Sequence, residues 1–285
     1  MKVTLIRYTP DADELGGIAA AECYQGANPQ KSLDRAMKRG HLSVVEHASF
    51  TFRTSGVSRV LLAQITRHRI ASFSVQSQRY CGAKVDVVIP ESMKIPELEN
   101  DIAEARHVIE DLYGKALRLG VPKEDARYIT MQGGVTSFVF TMNGRELLHF
   151  FELRCCNRAQ WEIRELAWSM LLQCKAVAPK LFEKAGPPCI NGNCPEGAGS
   201  CGKPYKHRIT QSPLSFEQAH FIAEEDKPTG GIPIYIERRE KPDLWILPVL
   251  LDLPEKDYGR TWRPWARKPS AYERNAVKWE ELSFE

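Results

Sequence analysis

The chain has 285 residues, a formal net charge of +3 at pH 7 and 26% charged residues. That length suffices for one large domain, or for a core domain with an appendage. The ordinary apolar and charged fractions exclude wholesale disorder, and the mild net charge does not indicate a protein that coats nucleic acid. The opening residues, MKVTLIRY, are too short and too polar for a signal peptide, and no apolar stretch approaches the length of a membrane span. We therefore expect a cytoplasmic protein without a membrane partner.

Hydrophobic periodicity predicts a mixed α/β (α+β) core over residues 1–185. Alternating apolar residues predict strands around Val3 and Leu5, over residues 47–55 and over residues 136–142. Ser58 is a suitable N-cap for a helix that runs towards Arg67. Further helices are predicted over residues 12–22, 31–39, 101–119, 146–153 and 158–182, where apolar residues recur at helical spacing in the longer segments. Pro122 can start another helix that runs through Arg127.

The composition changes after the predicted core. Residues 186–205, GPPCINGNCPEGAGSCGKPY, are mostly Gly, Pro, Cys and small polar residues, which indicates a linker or a metal-organised loop. Residues 206–285 hold four of the six tryptophans and many prolines. We expect an accessory tail there, with strands over residues 232–238 and 244–251 joined by a turn at residues 241–243. The sequence assigns no function to this tail.

Eight cysteines are present, and a reducing cytosol should keep them from forming stable disulfides. Cys189, Cys194 and Cys201 lie close together in the loop and are weak candidates for zinc. Structural zinc prefers four ligands, usually with tighter pairs of cysteines. Candidates for a fourth ligand are Cys155, Cys156, Cys174 and His207. A reduced loop without metal is the favoured alternative.

The segment QITRHRIASFSVQSQRY, from Gln64 to Tyr80, is the most informative part of the sequence. Its Arg-His-Arg triplet is followed, after seven residues, by Ser77 and Arg79. Arginine offers a planar fork of donors that suits phosphate oxygens and the carbonyl edges of flat rings. If the chain around Ser77 is extended, the Ser77 and Arg79 side chains point the same way and can face one phosphate. Composition alone would favour a charged helix end followed by a surface loop.

The order Arg-His-Arg, seven residues, Ser-x-Arg-Tyr resembles the signature of the flavin-dependent thymidylate synthases. Other segments resemble the same family in the same order: Gly40-His41, Ser43, Glu46-His47, Phe50-Thr51-Phe52, Asn143-Gly-Arg145, Leu153-Arg154 and Ala159-Gln-Trp-Glu-Ile163. Together these segments cover about residues 1–185. The resemblance implies an α/β domain that assembles as a homotetramer and binds FAD and substrate where subunits meet.

The resemblance also implies roles for individual residues. The flavin would be contacted by Ser43, Glu46, Arg67, His68, Arg69, Asn143, Arg145 and His149. The substrate dUMP would be bound by Gln64, Gln76, Ser77, Arg79, Arg127 and Arg154. His41 and Arg154 would be catalytic. Three arginines suit these roles physically, since they can neutralise a phosphate dianion and hold the uracil carbonyls.

Four positions depart from the commoner family pattern. Ser74 stands where an asparagine is common, and Val75 stands where many members have a glutamate that touches the substrate. His149 and Arg158 stand where other members often have asparagine and histidine. These departures bear on single contacts near the uracil ring and the flavin, and they leave the Arg-His-Arg and Ser-x-Arg elements intact.

The implied reaction is the reductive methylation of dUMP to dTMP. Methylenetetrahydrofolate would donate the carbon, NADPH would reduce FAD, and the reduced flavin would deliver the hydride. The protein would supply orientation and electrostatics. Ser77 is not expected to act as a nucleophile because it has no adjacent base in the sequence. Cys81 is the stronger candidate for a nucleophile that attacks the uracil, but an ordinary loop cysteine is the favoured interpretation.

Two other functions compete with this one. A folate-dependent flavin methyltransferase acting on uracil in RNA would favour a G-x-G-x-x-G fingerprint after a strand. The one run with this spacing, from Gly197 to Gly202, lies in the cysteine-rich loop and follows no predicted strand. An arginine-rich nucleic-acid-binding module without catalysis would need a broad basic face. The net charge of +3 gives that module little support, so no nucleic-acid partner is expected.

Overall fold

The computed structural model describes residues 1–26, 28–82, 86–192 and 194–205, and the backbone of residues 237–238 and 245–246. Within residues 1–205 a four-stranded sheet is accompanied by α-helices and short 3-10 turns, so the expected mixed α/β fold is confirmed. The strands are β1 (Lys2–Tyr8), β2 (Ser49–Ser58), β3 (Ala71–Val75) and β4 (Val135–Asn143). The helices are α1 (Ala12–Tyr24), α2 (Pro29–Lys38), α3 (Arg59–Ile65), α4 (Pro96–Arg118), α5 (Lys123–Ala126), α6 (Gly144–Arg154) and α7 (Trp161–Val177).

The four strands follow the order β1-β2-β4-β3, and each neighbouring pair is antiparallel. One row of directly paired residues, with one residue from each strand, crosses the whole sheet. It consists of Leu5, Phe52, Phe140 and Phe73. The rings of Phe52 and Phe140 stack with centroids 5.5 Å apart, and those of Phe140 and Phe73 stack at 5.9 Å. Aromatic pairs stabilise beyond the burial of their area. This row therefore ties the edge strand β3 to the centre of the sheet.

Helix α7 is the most deeply buried helix of the described chain, and Gln173 fixes it against β1. The side-chain carbonyl oxygen of Gln173 accepts a hydrogen bond from the Leu5 backbone N–H at 2.6 Å. Its amide nitrogen donates to the Val3 carbonyl at 3.2 Å. Gln173 is buried, so water could not replace its side chain. Without that side chain the Leu5 N–H would have no hydrogen-bond partner, which is costly. A polar side chain thus sets the position of α7 along the sheet.

The start of α3, the helix that leads into Arg67, is anchored by a buried carboxylate. Ser58 is its N-cap, as predicted, with the hydroxyl oxygen accepting the Leu61 N–H at 3.0 Å. Glu162 of α7 accepts the backbone N–H of Ser58 at 2.7 Å and also the Ser58 hydroxyl. A buried carboxylate stays in place only when such donors satisfy it, so Glu162 and Ser58 fix α3 relative to α7.

Helix α6 follows β4 without a loop, and Gly144 allows this close junction. A Cβ atom at Gly144 would lie 2.6 Å from the carbonyl oxygen of Val45, closer than any side chain tolerates. The missing side chain lets the 3-10 turn Leu42–Val45 pack against the first turn of α6. The Asn143 side chain caps that helix by accepting the Glu146 N–H at 2.9 Å. Residue 46 is thereby brought beside residue 145.

Several boundaries differ from the sequence predictions. Strand β3 was not predicted, because its five residues lie inside the arginine-rich motif. Helix α7 ends at Val177 instead of continuing to residue 182, since Ala178 leaves the helical region before Pro179. A residue that precedes proline is disfavoured in the helical conformation. Helix α4 begins at Pro96, earlier than residue 101, because proline is well suited to the first helical turn.

In the tail, β5 (Glu237–Arg238) pairs with β6 (Trp245–Ile246) in antiparallel fashion, inside the two strands predicted there. The other residues after 205, including the predicted turn at residues 241–243 and the candidate ligand His207, lie outside the described residues. No helix in the described part of the chain is long and apolar enough to cross a membrane.

Candidate active site

The Arg-His-Arg triplet connects α3 to β3, and its central residue is turned inward. His68 is 4% exposed, whereas Arg67 and Arg69 are exposed. The His68 ring bonds Glu146 through Nδ1 at 2.8 Å, and Arg154 Nε donates to its Nε2 at 3.1 Å. A guanidinium can only donate, so Nε2 is the unprotonated nitrogen and Nδ1–H donates to the carboxylate. A neutral imidazole thus links a buried carboxylate to the guanidinium of Arg154.

Burial lowers the pKa of His68, because desolvation disfavours the imidazolium. The hydrogen bond that His68 donates to Glu146 opposes this effect, while the positive charge of Arg154 adds to it. Burial and the neighbouring Arg67 also lower the pKa of Arg154 from its very high ordinary value. Arginine nevertheless remains charged in proteins. The neutral form of His68 is therefore the one that the surroundings favour.

Helix α6 supplies four of the groups that surround this ring. Glu146, Phe150 and Arg154 are four residues apart in turn and so lie on one face of the helix. The Phe150 ring meets His68 edge-on with centroids 4.9 Å apart, and His149 lies at 5.8 Å. Sequence reasoning missed Glu146, although its position three residues after the N-cap Asn143 marks a capping box. The four-residue spacing places the three side chains on one face of the helix, but it does not show that this face meets His68.

A second group of predicted flavin residues meets at the start of α6. Arg145 Nη1 lies 2.5 Å from Glu46 Oε1 in an exposed ion pair. The Glu46 N–H donates to the Ser43 carbonyl at 3.1 Å in the 3-10 turn. Asn143 is close in sequence, but its side-chain oxygen is occupied by the helix cap. Thus Ser43, Glu46 and Arg145 are neighbours at the start of α6, and their part in flavin binding stays a prediction.

His41 lies just before that turn, against Tyr24 of α1. The Tyr24 hydroxyl and His41 Nδ1 form a short hydrogen bond, and the two rings stack with centroids 5.8 Å apart. Both side chains are exposed. His41 is therefore accessible to a bound molecule while one ring nitrogen is already engaged.

Most of the predicted dUMP residues lie at the far end of β3. The Gln76 N–H donates to the Ser137 carbonyl at 2.9 Å, which extends the pairing with β4 by one bond. Arg79 Nε donates to Glu124 Oε2 at 2.6 Å, and Arg127 Nε donates to the Glu124 carbonyl at 2.9 Å. The Glu124 carboxylate raises the pKa of Arg79. Two of the three predicted phosphate-binding arginines are thus grouped around one residue of α5.

The structure corrects one step in the sequence argument. Ser77 lies past the end of β3, in a turn where its hydroxyl accepts the Arg79 N–H at 3.2 Å and its carbonyl accepts the Cys81 N–H at 3.0 Å. The chain is not extended there, so strand alternation does not align Ser77 with Arg79. The two residues are neighbours because a turn brings them together.

The remaining predicted substrate residues are not part of that group. Gln64 contacts the Val60 carbonyl of its own helix at 3.5 Å, and Arg154 is bonded to His68 before the start of β3. Ala71 and Val75 bound the strand between the two ends, and four residues of strand span about 13 Å. Within one chain, the residues predicted to bind dUMP therefore lie in two groups, one at each end of β3.

The departures from the family pattern have defined surroundings. Ser74 pairs with Val139, and Val75 with Phe138, so both positions are part of the sheet. His149 lies beside His68, as noted above. Arg158 Nη1 donates to the carbonyl of Gly199, in the cysteine-rich loop.

Within the described residues, no three His, Cys, Asp or Glu side chains are grouped closely enough to hold a metal ion. The zinc hypothesis for Cys189, Cys194 and Cys201 therefore gains no support.

Comparison with known proteins now identifies the family. The family model described as thymidylate synthase complementing protein matches residues 4–180. A flavin-dependent thymidylate synthase from Geobacter sulfurreducens is 45% identical over 219 residues, with 71% of this chain and 94% of the relative covered. The chain belongs to the flavin-dependent thymidylate synthases. The family and the enzyme class expected from the sequence are thereby confirmed.

Other relatives agree with this family assignment. The flavin-dependent thymidylate synthase of Clostridium tetani is 43% identical over 235 residues, with 71% of this chain and 94% of the relative covered. Among solved structures, the UMP/dUMP methylase PolB from Streptomyces cacaoi bound with 5-Br dUMP matches with a TM-score of 0.57. It is 22% identical, with 64% of this chain and 93% of PolB covered, and so supports the fold alone. The alternative of a nucleic-acid-binding module is not favoured by any of these similarities.

The lowered pKa of His68 predicts a pH dependence of stability. The unfolded chain takes up a proton on this histidine near pH 6.5, whereas the folded chain resists protonation until a lower pH. Between these values the unfolded state binds more protons, so stability falls as pH falls below about 6.5 and is recovered above it. We expect the melting temperature to decrease from pH 7.5 to 5.5, and His68→Gln to show a shallower decrease.

His107→Gln is the matched control, because His107 is exposed on α4 and should retain the slope of the unmodified protein. Melting curves at constant protein concentration measure all three proteins. An unchanged slope in His68→Gln would contradict the proposed neutral, buried state of His68.

Proposed function

We propose that this protein converts dUMP to dTMP, taking the carbon from methylenetetrahydrofolate and electrons from NADPH through FAD. Membership of the flavin-dependent thymidylate synthases supports this proposal. The observation that carries it is the Glu146–His68–Arg154 chain of hydrogen bonds. It presents a cationic group of fixed orientation beside the family's Arg-His-Arg motif. A fixed donor can bind an anionic nucleotide without the entropic cost of first being ordered.

The proposed flavin site consists of cations and polar groups around the start of α6 and the end of α3. Exposed Arg67 and Arg69, with Arg145, provide donors that suit the phosphates of FAD. When bound, the flavin would supply the redox chemistry of the reaction. Both ring nitrogens of His68 are engaged within the protein. Its proposed part in flavin binding is therefore to position Arg154 and the neighbouring backbone.

The full proposed flavin set contains eight residues: Ser43, Glu46, Arg67, His68, Arg69, Asn143, Arg145 and His149. The chemistry of these donors fits an anionic dinucleotide. The Glu46 carboxylate would compete with a phosphate for Arg145, since it already occupies that guanidinium. Its alternative partners are the hydroxyl groups of a ribose or a ribityl chain, to which a carboxylate can accept hydrogen bonds.

The proposed nucleotide site uses Arg79, Arg127 and Arg154 to bind the phosphate and the uracil carbonyls. Gln64, Gln76 and Ser77 would add neutral hydrogen bonds. Glu124 holds Arg79 through its carboxylate, so an incoming phosphate dianion would have to displace or share that contact. Because both partners are about half exposed, the exchange is inexpensive in free energy. We retain Arg154 and His41 as the proposed catalytic residues.

The division of the dUMP set between the two ends of β3 supports a site that is shared between subunits. Arg154 lies at one end of the strand, and Arg79 with Arg127 lies at the other. In the proposed homotetramer, the end of β3 in one subunit would meet the opposite end in a neighbour. One complete site would then contain arginines from two chains.

The function is tested by release of tritium from dUMP labelled at C5, the carbon that gains the methyl group. We expect release only with methylenetetrahydrofolate, NADPH and FAD all present, and a visible flavin band that changes when dUMP is added. The control omits one component at a time. A colourless protein that releases no tritium but retards DNA or RNA in a gel would favour the nucleic-acid-binding alternative.

The phosphate assignment is tested with Arg79→Ala. Loss of a charge-assisted hydrogen bond should weaken dUMP binding by about 1.5–3 kcal/mol, while the affinity for deoxyuridine should change little. Calorimetric titration with both ligands measures the difference. Arg106→Ala is the matched control, because Arg106 also forms an exposed ion pair, with Asp86 at 3.4 Å. Equal losses for dUMP and deoxyuridine would show that Arg79 does not bind the phosphate.

The shared site is tested by mixing two inactive variants. Arg79→Ala and Arg154→Ala should each lose most activity. If sites combine the two ends of β3 from different subunits, co-expressed mixed oligomers should regain part of the activity, because some sites contain both arginines. Mixing two preparations of the same variant is the control. Absence of recovery in oligomers shown to contain both variants would mean that each site is built within one chain.

A further inference from the structure

The last part of the cysteine-rich loop contacts the core, because it folds back on the turn between α6 and α7. We call residues 197–205 the strap and residues 155–160 the α6–α7 turn. Arg158 of the turn donates to the Gly199 carbonyl of the strap. The Tyr205 ring packs on Trp168 of α7 with centroids 5.4 Å apart. The family match ends at residue 180, so the strap lies outside the part of the chain that it covers.

Asn157 is the centre of this contact because both ends of its amide are used. Its nitrogen donates to the Lys203 carbonyl at 3.0 Å, and its oxygen accepts the Tyr205 hydroxyl at 2.7 Å. On the core side, Arg164 of α7 donates to the Asn157 carbonyl at 2.8 Å. The turn is thus held between α7 on one side and the strap on the other.

This turn matters because it directly follows Arg154. The last carbonyls of a helix lack partners within the helix, so a helix end frays unless something outside it fixes the chain. Arg154 occupies the final position of α6. Only Cys155 and Cys156 lie between it and Asn157, and Cys155 is fully buried. A shift of the turn would therefore be transmitted to the backbone that carries the Arg154 guanidinium.

We propose that the strap is a positioning element for the nucleotide site, and that Asn157 and Tyr205 hold the end of α6 so that Arg154 keeps its orientation. This inference rests on the proposed role of Arg154 in dUMP binding. Asn157 and Tyr205 touch neither substrate nor flavin and act only through the helix end. Arg158, one of the departures from the family pattern, gives this chain a bond to the strap.

The test measures dUMP binding to the full chain for Asn157→Ala, Arg154→Ala and the double variant. Two hydrogen bonds are lost in Asn157→Ala, so we expect about a tenfold weaker dUMP affinity. Tyr205→Phe loses one of them and keeps the ring on Trp168, so it should fold normally and show a smaller loss. If the strap acts through Arg154, the double variant should bind no more weakly than Arg154→Ala alone.

Asn191→Ala is the matched control. Its amide also donates to a backbone carbonyl, that of Lys184 at 2.7 Å, from within the same loop but away from the α6–α7 turn. It should bind dUMP normally. Hydrogen exchange should speed up over residues 150–160 in Asn157→Ala but not in Asn191→Ala.

Three outcomes separate this proposal from the proposed function. Normal dUMP binding by Asn157→Ala and Tyr205→Phe, with weakened binding by Arg154→Ala, would overturn the strap proposal alone. Additive losses in the double variant would show that the strap acts independently of Arg154 and would overturn it as well. Normal binding by Arg154→Ala would overturn both the strap proposal and the role of Arg154, while tritium release still reports on the reaction itself.

Discussion

The hydrogen bonds of the buried His68 ring constrain much of the structure around it. A carboxylate from the first turn of α6 and a guanidinium from its last turn meet the two ring nitrogens. Out of water, each of these groups would be costly without its partner. The orientation of α6 is thereby coupled to the end of α3. The start of that helix is fixed in turn by the bonds between Ser58 and Glu162, so polar contacts fix α3 against α7 at its start and against α6 just beyond its end.

Most of the other arginines of the proposed sites lie on the surface. Arg67 and Arg69 flank the buried histidine, and Arg79 and Arg145 each form an ion pair with an exposed carboxylate. Exposed ion pairs contribute little to stability, because water and salt screen them. Such arginines can change partners when a phosphate arrives. Arg154 is rigidly supported by His68, whereas Arg79 and Arg145 are weakly paired. This combination suits a protein that binds anions of more than one kind.

The sequence predicted the family, the mixed fold and the cap of α3, because each depends on local patterns. It failed where a residue's role depends on contacts distant in the chain. Glu146 looks like a capping residue, and only the approach of His68, 78 residues away, reveals its second role. The inward orientation of His68 was hidden because arginines flank it on both sides. The turn at Ser77 was missed because β3, on which its position depends, is a short edge strand.

The position of β3 connects these observations to assembly. It is the last strand in the order β1-β2-β4-β3, and within the described residues no further strand pairs with its outer edge. Edge strands in proteins are usually shortened, covered or charged. Here the strand has only five residues, and polar, arginine-bearing segments leave both of its ends. The edge position therefore leaves both halves of the proposed nucleotide site open to a neighbouring chain.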